Sequence, residues 1–143
     1  MFSGTRPAEV LIADDESIAR EILQLYLEGL GCRVHAARDG NEALAMFRAG
    51  ADWIGLVILD ARMPGPSPTE LYNQIHEISP RVPVLFCSGV SPEDPEIRQI
   101  NESGFQLLPK PFNRSGLHQA ILAVTQEEET QEAVARYYRS TMG

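Results

Sequence analysis

Short runs that are apolar at every position alternate along this chain with stretches whose apolar residues recur every three or four positions, and the alternation repeats five times. A short continuous apolar run reads as a buried strand, and a 3.6-residue recurrence as an amphipathic helix. The first strand is expected over Glu9–Ala13. A helix follows over Glu16–Glu28, with Ile18, Ile22 and Leu25 as its inward stripe, Asp15 as N-cap and Gly29 or Gly31 as its stop. The second strand is Arg33–Ala37, and after the turn Asp39-Gly40 a helix over Asn41–Arg48 turns Ala43, Leu44 and Phe47 inward. The third strand, Ile54–Leu59, is apolar on both faces, as a central strand covered by helices on each side must be.

A proline-rich turn, Met63-Pro64-Gly65-Pro66-Ser67-Pro68, leads into a third helix with Leu71, Ile75 and Ile78 as its stripe, ended by Pro80. Strand four is Val82–Cys87. A short fourth helix faces Ile97 and Ile100 inward, with Pro95 at its first position and Asp94 as N-cap. Strand five is Phe105–Leu108, and helix five starts near Ser115 with Leu117, Ile121 and Val124 inward. Such a (βα)5 pattern with short connections implies an α/β fold, a doubly wound parallel five-stranded sheet with right-handed crossovers.

Residues 8–125 carry this pattern, and residues 126–143 differ in character. That stretch has no proline, and it pairs Glu132 with Arg136 at helical spacing. Helix five can continue through it to about Arg139, it can fray, or the stretch is the stub of a linker. Its second apolar patch, Ala133, Val134, Tyr137 and Tyr138, is too far along to sit on the same sheet. A second copy of the chain or a flanking domain is a candidate cover for it.

Composition narrows the function classes. The 143 residues make about one domain, 43% hydrophobic and 22% charged, ordinary for a soluble protein. A formal net charge of −8 speaks against nucleic acid or an anionic membrane as partner. No apolar window reaches the length of a membrane span, and the first residues lack a signal-peptide core. Cys32 and Cys87 form no disulfide framework and read as reduced packing residues, so the expected location is cytoplasmic.

The candidate chemistry lies at the ends of the strands. Asp14-Asp15 follows the first strand, Asp60 the third and Ser88 the fourth, and Lys110 stands just after the fifth. Parallel neighbours share one carboxyl edge, where open α/β sheets carry their functional crevice. Three carboxylates, a hydroxyl and an ammonium would converge there. Crowded carboxylates repel unless a cation compensates, and an all-oxygen site suits Mg2+ or Mn2+. One carboxylate can then act as a nucleophile on phosphorus, with Lys110 and Ser88 as donors to the phosphoryl oxygens. Singly, each residue has a plainer reading: Asp15 as a cap, Asp60 as a turn residue, Ser88-Gly89 as a generic loop, Lys110 as a solvated lysine.

Taken in order, Asp14-Asp15, Leu59-Asp60-Ala61-Arg62-Met63-Pro64, Ser88-Gly89 and Lys110-Pro111-Phe112 resemble the signature of response-regulator receiver domains, over residues 8–125. The resemblance implies the flavodoxin-like strand order 2-1-3-4-5 and a cis Lys110-Pro111 bond. It implies Asp60 as phosphoacceptor, with Asp14, Asp15, Asp60 and the backbone carbonyl of Arg62 around a Mg2+ (or Mn2+) ion. Ser88 and Lys110 would contact the phosphoryl group. The donor would be a histidine kinase or a histidine phosphotransfer domain. The chain would catalyse only its own phosphorylation and slow dephosphorylation.

The sequence departs from that pattern in three places. Leu107 stands where an aromatic is usual, and Phe105 lies two positions earlier on the same face. Pro68 replaces the usual glycine after the phosphorylation turn, and Arg62 either reaches over the site or faces solvent. Two alternatives remain open from sequence. One is a receiver-like interaction module independent of phosphate, favoured by Leu107. The other is a Mg2+-dependent phosphohydrolase, disfavoured because Arg62 occupies the place where a second acid/base aspartate is needed.

Overall fold

Side chains along the strands point alternately to the two faces of the sheet, and that alternation divides the apolar core into two halves. The computed structural model describes residues 8–89, 93–102 and 104–125. Within them β1 (Glu9–Ala13), β2 (Arg33–Ala37), β3 (Leu56–Asp60), β4 (Val84–Ser88) and β5 (Gln106–Pro109) form one parallel sheet in the order β2-β1-β3-β4-β5. Val10, Ile12, Leu56, Ile58, Leu85 and Cys87 point to one face, where α1 (Ser17–Gly29) and α5 (Arg114–Thr125) cover them. Leu11, Ala13, Val57, Leu59, Val84 and Phe86 point to the other, beneath α2 (Gly40–Gly50), α3 (Pro68–Ile78) and α4 (Pro95–Glu102). The period-2 alternation thus serves two cores at once, which is why the central strands are apolar throughout.

Three strand starts fall later than the apolar runs predict, each for a backbone reason. The Trp53 and Ile54 N–H groups both donate to the Gly50 carbonyl, so β3 pairs only from Leu56. Val82 donates back to Ser79, and Pro83 has no N–H, so β4 begins at Val84. The Phe105 N–H is taken by Ile100 at the end of α4, across Gly104 at φ +77°, so β5 begins at Gln106.

The expected stripe of α1 is corrected. Leu23 and Leu27 are the buried residues, while Ile18, Ile22 and Leu25 are 72%, 44% and 63% exposed. This helix carries apolar residues on two faces, and spacing alone does not rank them. The sheet takes the face that continues into Leu30 and Cys32 and brings Tyr26 against Phe112 of the β5–α5 loop. Ile78 is likewise exposed, at the last turn of α3, leaving Leu71 and Ile75 as that helix's buried pair. Asp15 does not cap α1: the N-cap residue is Glu16, without a side-chain cap bond. Val124 is half-buried beside Leu117 and Ile121, which are fully buried.

Two helices start on side-chain caps that hydropathy does not single out. Asp39 accepts from the Glu42 N–H at 2.8 Å to start α2, and Ser67 accepts from the Glu70 N–H to start α3, with Pro68 in the first turn. Pro95 is the first residue of α4. Cys32 and Cys87 are both free and buried, and burial pushes their thiols up to about 11 and about 12. Trp53 is half exposed, its ring 4.8 Å from that of His35. The segment 126–143, with its expected helical extension, lies outside the described residues.

Candidate functional site

The centre of the sheet is also where its winding reverses. β1 has β2 on one side and β3 on the other, so the crossovers leaving β1 and β3 go to opposite faces and open a crevice between their carboxyl ends. Asp14 and Asp15 follow the last residue of β1, and Asp60 is the last residue of β3. Carboxylate oxygens of all three lie within 4.8 Å of one another. Asp14 and Asp60 are buried, and Asp15 is exposed at the mouth. Among the described residues this is the one group of acidic, histidine or cysteine side chains close enough to hold a metal ion. Its donors are all hard carboxylate oxygens, which fits Mg2+ or Mn2+ and leaves room for water in the shell.

Lys110 enters from the end of β5. Its Nζ donates to Asp14 Oδ2 at 2.7 Å and stands 3.7 Å from Asp60 Oδ1. The Lys110 N–H donates to the Ser88 carbonyl at 2.7 Å, which ties this residue to the end of β4, and the Lys110-Pro111 peptide bond is cis. Ser88 ends β4, buried and level with Pro109 of β5, one position past the Asp60–Cys87 pairing of β3 and β4. Asp60, Ser88 and Lys110 therefore occupy three adjacent strand ends.

Burial does most to shift Asp60. Removal from water pushes its carboxyl up, Asp14 and Asp15 add like-charge repulsion, and Lys110 and the Arg62 N–H pull the other way. The balance puts it at about 6 instead of 3.8. For Lys110, burial works against the ammonium, but the hydrogen bond to Asp14 and the charge of Asp60 outweigh it and raise its pKa. The site thus holds more negative charge than its one lysine balances, which is the electrostatic condition for taking up a divalent cation.

Arg62 neither covers the crevice nor points freely to solvent. Its guanidinium pairs with Asp94, the residue before α4. Sequence reasoning did not foresee that partner, nor Arg20, whose Nη1 donates to the Asp14 carbonyl at 2.8 Å and ties α1 to the crevice. Both contacts join residues on different elements, so no local spacing signals them. The proline-rich turn is also tighter than expected. Gly65 has φ +107°, and a Cβ there would come 3.2 Å from Asn41 Nδ2, so the turn's required glycine is Gly65 and not the position of Pro68.

On the far side of β4 and β5 an aromatic cluster stands in the region of Leu107. The rings of Tyr72 and Phe105 lie 3.9 Å apart, and Phe105 is 5.8 Å from Phe86. Leu107 packs against the same core half.

Residues 10–122 match the family model described as the response regulator receiver domain. The chain belongs to that family. Receiver domains are the phosphorylation-controlled modules of two-component signalling, and the five-stranded order seen here is theirs. The chain is similar to the autoinducer 1 sensor kinase/phosphatase LuxN of Vibrio harveyi, 32% identical over 112 residues, which are 78% of this chain and 13% of LuxN. It is 32% identical over 104 residues to the DNA-binding transcriptional regulator NtrC of Salmonella typhimurium, 73% of this chain and 22% of NtrC. It therefore spans less than a quarter of either relative's length. A response regulator receiver domain protein from Clostridium thermocellum superposes with a TM-score of 0.75 at 29% identity, over 87% of this chain and 98% of that one. Among the described residues, no helix is long and apolar enough to cross a membrane.

Proposed function

We propose that this receiver domain takes a phosphoryl group onto Asp60 from a phosphohistidine of a histidine kinase or phosphotransfer domain. The observation that carries the reading is the placement of one buried carboxylate, Asp60, against two further carboxylates and a lysine at the switch point of the sheet. In the transfer an Asp60 carboxylate oxygen forms the new bond to phosphorus as the P–N bond of the donor breaks, and the electron pair leaves with the imidazole. With its carboxyl near 6, Asp60 is an anion, and so nucleophilic, above that pH. Bound by Asp14, Asp15, Asp60 and the Arg62 carbonyl, Mg2+ (or Mn2+) would supply the positive charge that a crowded carboxylate set and a phosphoryl group require.

The chain's own residues do the rest. Lys110 moves its ammonium from Asp14 towards the phosphoryl oxygens, a short travel given that it already stands 3.7 Å from Asp60. Ser88 offers a hydroxyl from the adjacent strand end. The Arg62 N–H already donates to the Asp60 carboxylate, whereas the Ala61 N–H is taken by the Cys87 carbonyl. The chemistry stops at self-phosphorylation and slow hydrolysis of the aspartyl phosphate, so the domain is a switch and not a metabolic enzyme.

The exposed row Ile18, Ile22 and Leu25 on α1 is the face for the phosphohistidine partner. It starts within one turn of Asp15 and presents three apolar side chains at helix-packing spacing. A contact through residues 126–143 with a second copy or a flanking domain is a separate expectation.

The test is incubation with Mg2+ and a small phosphodonor, wild type against Asp60→Asn. Wild type should gain an acid-stable, base-labile phosphoryl adduct that the variant lacks. Equal labelling of both, or none of either while metal binds, overturns the reading. Continuous release of phosphate from esters would point to a hydrolase.

A further inference from the structure

Arg62 sits two residues after Asp60 and touches it through the backbone, its N–H donating to the Asp60 carboxylate. Its side chain leaves in another direction and pairs through Nη2 with Asp94 Oδ2. Asp94 immediately precedes α4, and its carbonyl accepts from the Arg98 N–H at 2.9 Å. Its carboxylate is mostly buried, while the Arg62 side chain is about half exposed. One residue therefore connects the proposed phosphoacceptor to the start of a helix across the sheet edge.

The helix at the other end of this connection is short. α4 has eight residues, of which Ile97 and Ile100 supply the buried apolar contact. A helix this short has little stability of its own and depends on what holds it in place. An ion pair at the residue just before it then adds to its restraint, even though a pair with one half-exposed partner is weak in absolute terms.

Charge decides what becomes of that pair when Asp60 is modified. A phosphoryl group brings close to two negative charges and three acceptor oxygens. The planar guanidinium binds phosphate in a bidentate fork and prefers it to a single carboxylate. Part of what Asp94 loses by the exchange is offset, because its carboxylate stays at a helix N-terminus, where negative charge is favoured.

We propose that the Arg62–Asp94 ion pair is a latch that holds α4 to the loop after β3, and that a phosphoryl group on Asp60 releases it by drawing Arg62 away from Asp94. The release half rests on the phosphoacceptor reading of Asp60; the restraint half does not. The latch transmits the state of Asp60 to α4 without an aromatic at position 107. Linkage makes the coupling reciprocal: whatever frees Arg62 from Asp94 must also favour the phosphoryl-bearing state.

The test is amide hydrogen exchange of peptides covering α4 in wild type, Asp94→Asn, Arg62→Gln and the double variant. Each is measured alone and with Mg2+ and beryllofluoride, whose occupancy is followed by fluorine NMR. Without beryllofluoride, each single variant should speed exchange in α4 by about two- to fivefold, and the double should fall short of the product of the two, since both remove the same ion pair. Beryllofluoride should raise wild-type α4 to the same level and leave Asp94→Asn unchanged there, while Asp94→Asn binds it about two- to fivefold more tightly. Exchange in α4 of unliganded Asp94→Asn equal to wild type overturns the latch. Wild-type α4 unaltered while the fluorine signal shows beryllofluoride bound overturns its release. No bound fluorine signal in wild type overturns the phosphoacceptor reading and the release with it, and the unliganded variants still decide the restraint.

Discussion

Lys110 donates to Asp14 at 2.7 Å and stands 3.7 Å from Asp60, so one ammonium serves two buried carboxylates. Its removal leaves the carboxylates facing one another with no cation from the chain. In Lys110→Gln the Asp60 carboxyl should titrate above about 6, seen as a shift of its carboxyl carbon resonance with pH. Uptake of phosphoryl from a small donor should slow by about 10²-fold, the usual loss when one preorganised donor to a charged oxygen is removed. An unchanged rate would mean that Lys110 is a structural partner of Asp14 alone.

The raised Asp60 carboxyl also makes a statement about stability. Its pKa rises from 3.8 to about 6 in the fold, so the folded state binds the proton more readily than the unfolded chain. The group's contribution therefore falls as pH rises through that window, and the ionised form is penalised above it. In a chelator at about pH 7.5, Asp60→Asn should be more stable than wild type by about 1–3 kcal/mol. The gain should disappear below pH 4, where wild type is protonated as well. Urea denaturation at the two pH values measures it, and saturating Mg2+ should narrow the gap at the higher pH.

Phe105 stacks on Tyr72 at 3.9 Å beside Phe86, which makes it a packing residue of the core beneath α3 and α4. Phe105→Ala should cost about 2–4 kcal/mol by urea denaturation. Phosphorylation by a small donor should survive in conditions where the variant is folded, because no part of the site rests on that ring.

The two apolar faces of α1 should behave oppositely. Leu23→Ala, on the sheet side, should destabilise by about 2–4 kcal/mol. Ile18→Asp, on the exposed side, should change stability by less than about 0.5 kcal/mol. The second variant should still accept phosphoryl from a small donor, yet take it from a phosphohistidine domain about tenfold more slowly, as expected for an anchor of a docking face. Equal loss with both donors would place the defect in the site itself.

The strand ends were legible in the sequence because a parallel sheet converts order along the chain into adjacency in space. Once five apolar runs are read as parallel strands, Asp14, Asp15, Asp60, Ser88 and Lys110 must share an edge. The face of α1 was not legible. Ile18-Ile22-Leu25 and Leu23-Leu27 both satisfy helical spacing, and only contact with Cys32, Phe112 and α5 selects the second. Strand starts were misplaced wherever an apolar residue gives its N–H to the last turn of the preceding helix, as Ile54 and Phe105 do, since hydropathy reports burial and not pairing. Arg20 and Asp94 escaped for a different reason. Their partners, the Asp14 carbonyl and the Arg62 guanidinium, lie on other elements, and long flexible side chains reach them by geometry that no sequence period encodes.

The central claim is that Asp60 carries the phosphoryl group. After reaction with Mg2+ and a small phosphodonor, reduction with borohydride converts an aspartyl phosphate to homoserine, and peptide mass spectrometry locates it. The account predicts homoserine at position 60 and at no other aspartate. Homoserine at Asp14 or Asp15, or none in a folded protein that binds the metal, would contradict it.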